Sequence, residues 1–156
     1  MKFVVVLLSI GVGVAAFAGM ATLGAGPAID YKTASLEERQ EWLEGQKKVI
    51  SRAAKFFLPN GRGPAALNFY LKDVVTRADA GEIELLIDVK VPYGAKVGRI
   101  PKNKFLDTFC KNYINTGLYK QGIKLIANFK QRGGKKKRIA RIKVNPSDCR
   151  WAEKQA

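Results

Sequence analysis

The organisation of this chain is clearest in residues Pro101–Cys149, which read PKNKFLDTFCKNYINTGLYKQGIKLIANFKQRGGKKKRIARIKVNPSDC. A proline suited to a first helical turn is followed by apolar residues at helical spacing, at positions 106, 109, 110, 113 and 114. Gly117 is suited to end that helix. Alternating apolar and polar residues then flank an Arg-Gly-Gly-Lys turn, which predicts a β-hairpin over residues 123–144. The segment therefore predicts one helix packed on two strands.

The residues before this segment predict another helix and another pair of strands. Ser35-Leu36-Glu37-Glu38 has the pattern of a capping box, and apolar residues recur at helical spacing as far as Phe57. Residues 67–78 and 82–91 alternate around an Asp-Ala-Gly turn. The predicted order is α-β-β-α-β-β. We expect an α+β fold with one four-stranded antiparallel sheet and both helices on one face, in a single domain over residues 35–156. Residues 29–34 are interpreted as a short linker.

Residues 1–28 are predicted to be a signal peptide or a membrane anchor. Lys2 precedes an uncharged run over residues 3–26, and Ala16-Phe17-Ala18 fits the pattern before a cleavage site. The alternative is an uncleaved transmembrane helix, because such a run can cross a bilayer of about 30 Å. The first interpretation places the protein in the periplasm or outside the cell, and the second anchors a periplasmic domain to the inner membrane. Four basic residues that follow the run favour the reverse orientation under the positive-inside rule.

The chain has two cysteines, Cys110 and Cys149. An even pair behind an export signal predicts a disulfide. Closing this loop would stabilise the fold by about 4 kcal/mol in the chain-entropy model. The alternative is two unrelated buried thiols in a cytoplasmic domain. Because there is no C-x-x-C motif, a redox-catalytic role is not favoured.

The last third of the chain resembles a class of small exported bacterial α+β proteins. The similarity lies in FLDTFCKNYINTGLYKQGIKLIANFK and IARIKVNPSDC, which place a cysteine in the second helix and an Asp-Cys after the hairpin. Secreted proteins of the quorum-sensing-regulated virulence-factor type look like this. The resemblance implies a disulfide between Cys110 and Cys149 and a location in the envelope. It implies no catalytic residues.

Composition narrows the chemistry available to the protein. The chain has no histidine, which excludes Ser-His-Asp triads, Cys-His pairs and histidine-ligated metal sites. We therefore predict a protein that is not an enzyme and that holds neither a cofactor nor a metal. The formal net charge is +15, from 28 Lys and Arg against 13 Asp and Glu, and such a charge attracts polyanions.

The predicted hairpin carries the candidate binding surface, which is basic. Its members are at the turn or face outward from the strands: Lys124, Lys130, Arg132, Lys135, Lys136, Lys137, Arg138, Arg141 and Lys143. The alternative is a solvated turn whose lysines protect a sheet edge. Polyanion binding would show steep salt dependence. Nucleic acid is not the favoured partner, because Tyr70 alone does not make a base-stacking platform.

Three further clusters are candidate sites. Glu82, Glu84 and Asp88 lie on the outward parity of one strand, and we expect them to pair with neighbouring lysines rather than act as an acid–base couple. Residues 61–64 lack the Lys-Ser/Thr of a P-loop and are interpreted as a turn. Residues 94–99 are interpreted as an unspecific small basic loop.

Together these features predict a small binding protein of the bacterial cell envelope, either exported or membrane-anchored. Its expected partner is another envelope protein or an anionic envelope surface, with membrane contact through the N-terminal segment if that segment is not cleaved. One alternative is a single-pass membrane component of a secretion or conjugation-type assembly. An alternative of another class is a small hydrolase that uses Glu84 and Asp88.

Overall fold

A computed structural model describes residues 29–57, 68–90, 101–132 and 138–156, without the side chains of residues 53–57, 68, 69, 104 and 108. The predictions made for residues 1–28, 61–64 and 94–99 and for Lys135–Lys137 lie outside the described residues. Among the helices in the described ranges, none combines the length and the apolar character needed to cross a bilayer.

The chain folds in the predicted order α-β-β-α-β-β, with three short helical segments added after the second long helix. The elements are α1 (Leu36–Phe57), β1 (Asn68–Arg77), β2 (Glu82–Lys90), α2 (Lys102–Tyr113), α3 (Gly117–Lys120), β3 (Lys124–Gln131), β4 (Arg138–Val144), a 3₁₀ turn (Pro146–Cys149) and α4 (Arg150–Glu153).

The four strands form one mixed sheet in the order β1-β2-β3-β4. The two hairpins, β1–β2 and β3–β4, are antiparallel, but β2 and β3 pair in parallel. The α+β class is therefore confirmed, and the purely antiparallel sheet is wrong. The reason is the connection between β2 and β3: α2 carries the chain back along the sheet, so β3 starts where β2 starts and runs the same way.

One core forms between the helices and the inward face of the sheet. It includes Leu43 and Ile50 from α1, Phe109 from α2 and the inward positions of the strands, such as Ile83 and Leu125. All five side chains are almost fully buried. Each burial of this kind stabilises the fold by roughly 1.5–3 kcal/mol before the entropic cost of ordering.

A disulfide joins α2 to the turn after β4. Cys110 and Cys149 are fully buried, and their sulfur atoms are 2.03 Å apart. The pair closes a loop with a sequence separation of 39 residues, which ties the crossover helix to the end of the last strand. Such a bond is compatible with an oxidising compartment outside the cytoplasm.

Tyr31 fastens the start of the described chain to one end of the sheet. Its hydroxyl donates to the carbonyl oxygen of Ala78 at 2.7 Å, and its backbone amide donates to Gln121 Oε1 at 2.9 Å. The ring is buried and meets Trp42 edge-on, with the ring centroids 5.9 Å apart. The interpretation of residues 29–34 as a linker is therefore wrong at Tyr31. We call this end of the sheet, marked by Tyr31, Ala78 and Gln121, the clamped end.

Candidate binding surface

The candidate surface lies on the outer face of the sheet, which is the face turned away from α1 and α2. The strand register brings the outward cations of the hairpin onto this face beside the carboxylates of β2. Asn128 lies opposite Leu86 and Arg141, and Lys130 lies opposite Asp88 and Arg138. The positions predicted to face outward on β3 and β4 therefore share one face, and the parallel pair places β2 beside them.

Near the clamped end, two glutamates form ion pairs with three basic side chains of the outer face. Glu84 accepts hydrogen bonds from Arg77 Nη2 at 2.7 Å, Asn128 Nδ2 at 3.1 Å and Arg141 Nε at 3.3 Å. Glu82 accepts from Lys143 Nζ at 2.5 Å and lies 3.6 Å from Arg77 Nη1. We call these six residues, Arg77, Glu82, Glu84, Asn128, Arg141 and Lys143, the carboxylate network.

Glu84 is the buried centre of this network, since 7% of its side chain is exposed. Burial raises the pKa of its carboxyl, but hydrogen bonds from Arg77, Asn128 and Arg141 outweigh burial and hold the pKa below its ordinary value. Glu84 is therefore an ionised acceptor whose two oxygens are already in use. These properties suit a structural ion pair, and they do not suit the general acid of the hydrolase alternative.

Three of the predicted binding residues are thus engaged within the fold. Arg141 and Lys143 are paired with Glu84 and Glu82, respectively. Lys124 Nζ is 3.4 Å from the carbonyl oxygen of Ala80, to which it donates. Because these three side chains already make contacts within the fold, they are less available to an approaching anion than their sequence positions predict.

Three of the other predicted residues, Lys130, Arg132 and Arg138, lie where β2 and β3 end and β4 begins, and Lys90, which was not predicted, lies there too. We call this the basic end of the sheet and define it by Lys90, Lys130, Arg132 and Arg138. The register places Lys130 opposite Arg138. No carboxylate of the described ranges comes within the 4.0 Å of an ion pair with any of the four. Lys90, Arg132 and Arg138 are exposed. Cations at this end are therefore available to a partner.

Arg132 is the best-positioned of these cations. Its guanidinium carbon lies 5.0 Å from the centre of the Tyr70 ring, and its backbone amide donates to the carbonyl oxygen of Val89 at 2.8 Å. A cation over an aromatic ring is stabilised by the charge distribution of the ring. The contact also restricts the side chain before a partner arrives, which lowers the ordering entropy that binding would cost. Tyr70 thus acts by positioning Arg132 rather than by stacking on a base.

The residues that join the strands and helices at this end are also basic, as the four residues that define the basic end are. Asn68 pairs with Lys90, so β1 also starts at the basic end. The connections over residues 58–67, 91–100 and 133–137 therefore attach there, and together they contain six Lys and Arg and no Asp or Glu. They lie outside the described ranges, and the candidate surface rests on the four residues that define the basic end.

Sequence reasoning missed two members of the carboxylate network. Arg77 precedes the Asp-Ala-Gly turn, so hairpin register alone would have placed it opposite Glu82. The alternation in residues 123–130 puts Asn128 on the same parity as Lys124 and Lys130, but its contact with Glu84 depends on the parallel pairing of β2 with β3, which no local pattern reveals. In the described part of the chain, no group of three or more His, Cys, Asp or Glu residues is placed to hold a metal ion.

Comparisons of the chain with protein-family models, with curated proteins and with solved structures find no match.

Proposed function

We propose that this protein is a non-catalytic binding module of the bacterial cell envelope, which engages an anionic partner through the basic end of its sheet. One observation carries the proposal. Lys90, Lys130, Arg132 and Arg138 converge without a described carboxylate in ion-pair range, whereas Arg77, Arg141 and Lys143 near the clamped end are paired with Glu82 and Glu84. The proposed binding surface thus has fewer hairpin residues than the predicted one, because Arg141 and Lys143 belong to the carboxylate network.

The chemistry of the basic end favours an extended polyanion over a small ion. A single exposed ion pair contributes about 0–1 kcal/mol, so one phosphate or carboxylate would be held weakly. A chain of anionic groups reaches several cations at once, and the same field speeds its approach. The envelope location is supported by the Cys110–Cys149 disulfide, which suits an oxidising compartment.

The test is binding of a fluorescent heparin oligosaccharide across a salt series. The variant is Lys130→Glu, Arg132→Glu and Arg138→Glu together. If each lost contact is worth about 0.5–1 kcal/mol, affinity at low salt falls roughly 10- to 100-fold. Affinity of the wild type should fall steeply as salt rises.

The matched control reverses three exposed lysines near the clamped end, Lys32, Lys120 and Lys154. Both triple variants change the formal net charge by the same amount, so a general charge effect would weaken both equally. We expect the control to lose less than threefold in affinity. Equal losses in the two variants, or binding by the wild type that does not respond to salt, would reject the proposal.

A further inference from the structure

The N-terminal segment enters the domain at the end of the sheet opposite to the basic end. Tyr31 is fastened to Ala78 and Gln121, and Ile29 packs against the core. The same end is where β3 begins, since the amide of Lys124 donates to the carbonyl oxygen of Gly81 at 2.9 Å. The basic end lies where β3 finishes. The N-terminal segment and the four cations of the basic end are therefore at opposite ends of the sheet.

The separation is large compared with the range of electrostatic forces in salt. β3 has eight residues, and at about 3.3 Å per residue it spans about 26 Å. Three residue steps join Gly26, the end of the stretch considered as a span, to Ile29, which adds at most about 11 Å. When the strands stand away from a bilayer that holds this stretch, the basic end lies about 26–37 Å from it. The Debye length at physiological salt is about 8 Å, so the lipid charge is screened there.

Charge on the first turns of α1 disfavours tilting the domain onto an anionic bilayer through its α1 side, which is the side opposite the outer face of the sheet. Glu37, Glu38 and Glu41 are exposed beside the clamped end. Laying the domain on this side would press these carboxylates against lipid phosphates.

We propose that the domain holds its basic end away from the membrane to which its N-terminal segment is attached and binds a polyanion in trans. This inference rests on the proposed function and adds the source of the ligand. The occupant is an anionic polymer of the envelope, and it is not the phospholipid of the protein's own bilayer. Binding to that phospholipid is the competing outcome of the test.

The experiment places the full chain in vesicles of neutral phosphatidylcholine and in vesicles with about a third of anionic phosphatidylglycerol. The fluorescent heparin oligosaccharide is titrated into both at near-physiological salt, where the Debye length is about 8 Å. If the basic end stands clear of the bilayer, the dissociation constant is the same in both vesicles within twofold. The Lys130→Glu, Arg132→Glu and Arg138→Glu variant then loses about tenfold or more in both, and the Lys32, Lys120 and Lys154 control does not.

The outcomes separate the two proposals. Heparin binding in neutral vesicles that weakens more than tenfold in anionic vesicles means that lipid occupies the basic end, which overturns the inference and leaves the proposed function standing. Recovery of the chain outside the vesicles also overturns the inference, because there is then no bilayer for the domain to face away from. Absence of heparin binding in neutral vesicles overturns the proposed function itself.

Discussion

Replacing Glu84 with glutamine tests whether the carboxylate network holds the sheet together. The substitution keeps the shape of the side chain and removes the charge that Arg77 and Arg141 share. Three hydrogen bonds converge on Glu84, but the two arginine side chains are 39% and 40% exposed, so each contact belongs at the lower end of the range for charged groups. At about 1 kcal/mol each, the loss in unfolding free energy is about 2–3 kcal/mol.

The assay is urea unfolding of wild type, Glu84→Gln and a matched control, Asp88→Asn. Asp88 is on the same strand and the same face, and no described cation lies within ion-pair distance of it. For a slope of about 1–1.5 kcal/mol per molar urea, the Glu84 variant should shift the midpoint by about 2 M. The control should change stability by less than about 0.5 kcal/mol. Equal effects of the two substitutions would refute the network.

Acid should erase the difference between wild type and Glu84→Gln. Because the folded protein holds the pKa of Glu84 below its unfolded value, its charge stabilises the fold above the unfolded pKa. That stabilisation is fully present above about pH 4.5 and is lost as pH falls through the folded pKa. The gap between the two unfolding curves should therefore narrow as pH falls below about 4.5 and close as pH falls through the folded pKa of Glu84. A gap that stays constant into acid would mean that the carboxylate charge is not what stabilises the sheet.

Two more predictions concern the ties at the ends of the core. Reduction of the Cys110–Cys149 disulfide, or Cys110→Ser with Cys149→Ser, should lower the unfolding free energy by about 4 kcal/mol, and unchanged unfolding in reductant would contradict the loop-closure argument. Tyr31→Phe removes the hydroxyl that donates to the buried carbonyl oxygen of Ala78, and it should lower the unfolding free energy by about 1–2 kcal/mol in thermal unfolding. The control Tyr70→Phe keeps the ring under Arg132 and should leave the unfolding free energy almost unchanged. Similar losses in the two variants would contradict the role of Tyr31 at the clamped end.

Local patterns in the sequence were enough to predict the elements and their inward faces. The alternation at Ile83, Leu85 and Ile87 predicted a half-buried strand, and the structure buries all three. The stripe in α2 placed Cys110 in the core, where it meets Cys149. These predictions succeeded because hydrophobic periodicity depends only on residues a few positions apart.

Contacts between distant strands were beyond such patterns. Asn128 is 44 residues from Glu84, and Lys143 is 61 residues from Glu82. Their meeting depends on the direction in which β3 runs, and alternation reads the same in both directions. The sequence therefore showed a basic hairpin but did not show which of its cations the fold would pair.

The parallel pairing of β2 with β3 is what separates the charges of the outer face. In the register of the observed sheet, Glu82 lies opposite Lys124 and Asp88 lies opposite Lys130, so β2 and β3 start at the same end of the sheet and finish at the same end. With β3 and β4 reversed, as the antiparallel prediction had it, Lys130 and Arg138 would lie beside Glu82 and Glu84. Those glutamates would then pair with the hairpin tip, and the cations would be mixed with acids along the whole face. The crossover through α2 thus does more than connect two strands. It leaves Arg77, Arg141 and Lys143 paired with Glu82 and Glu84 at one end of the sheet. At the other end, the four cations that define the basic end have no described carboxylate in ion-pair range.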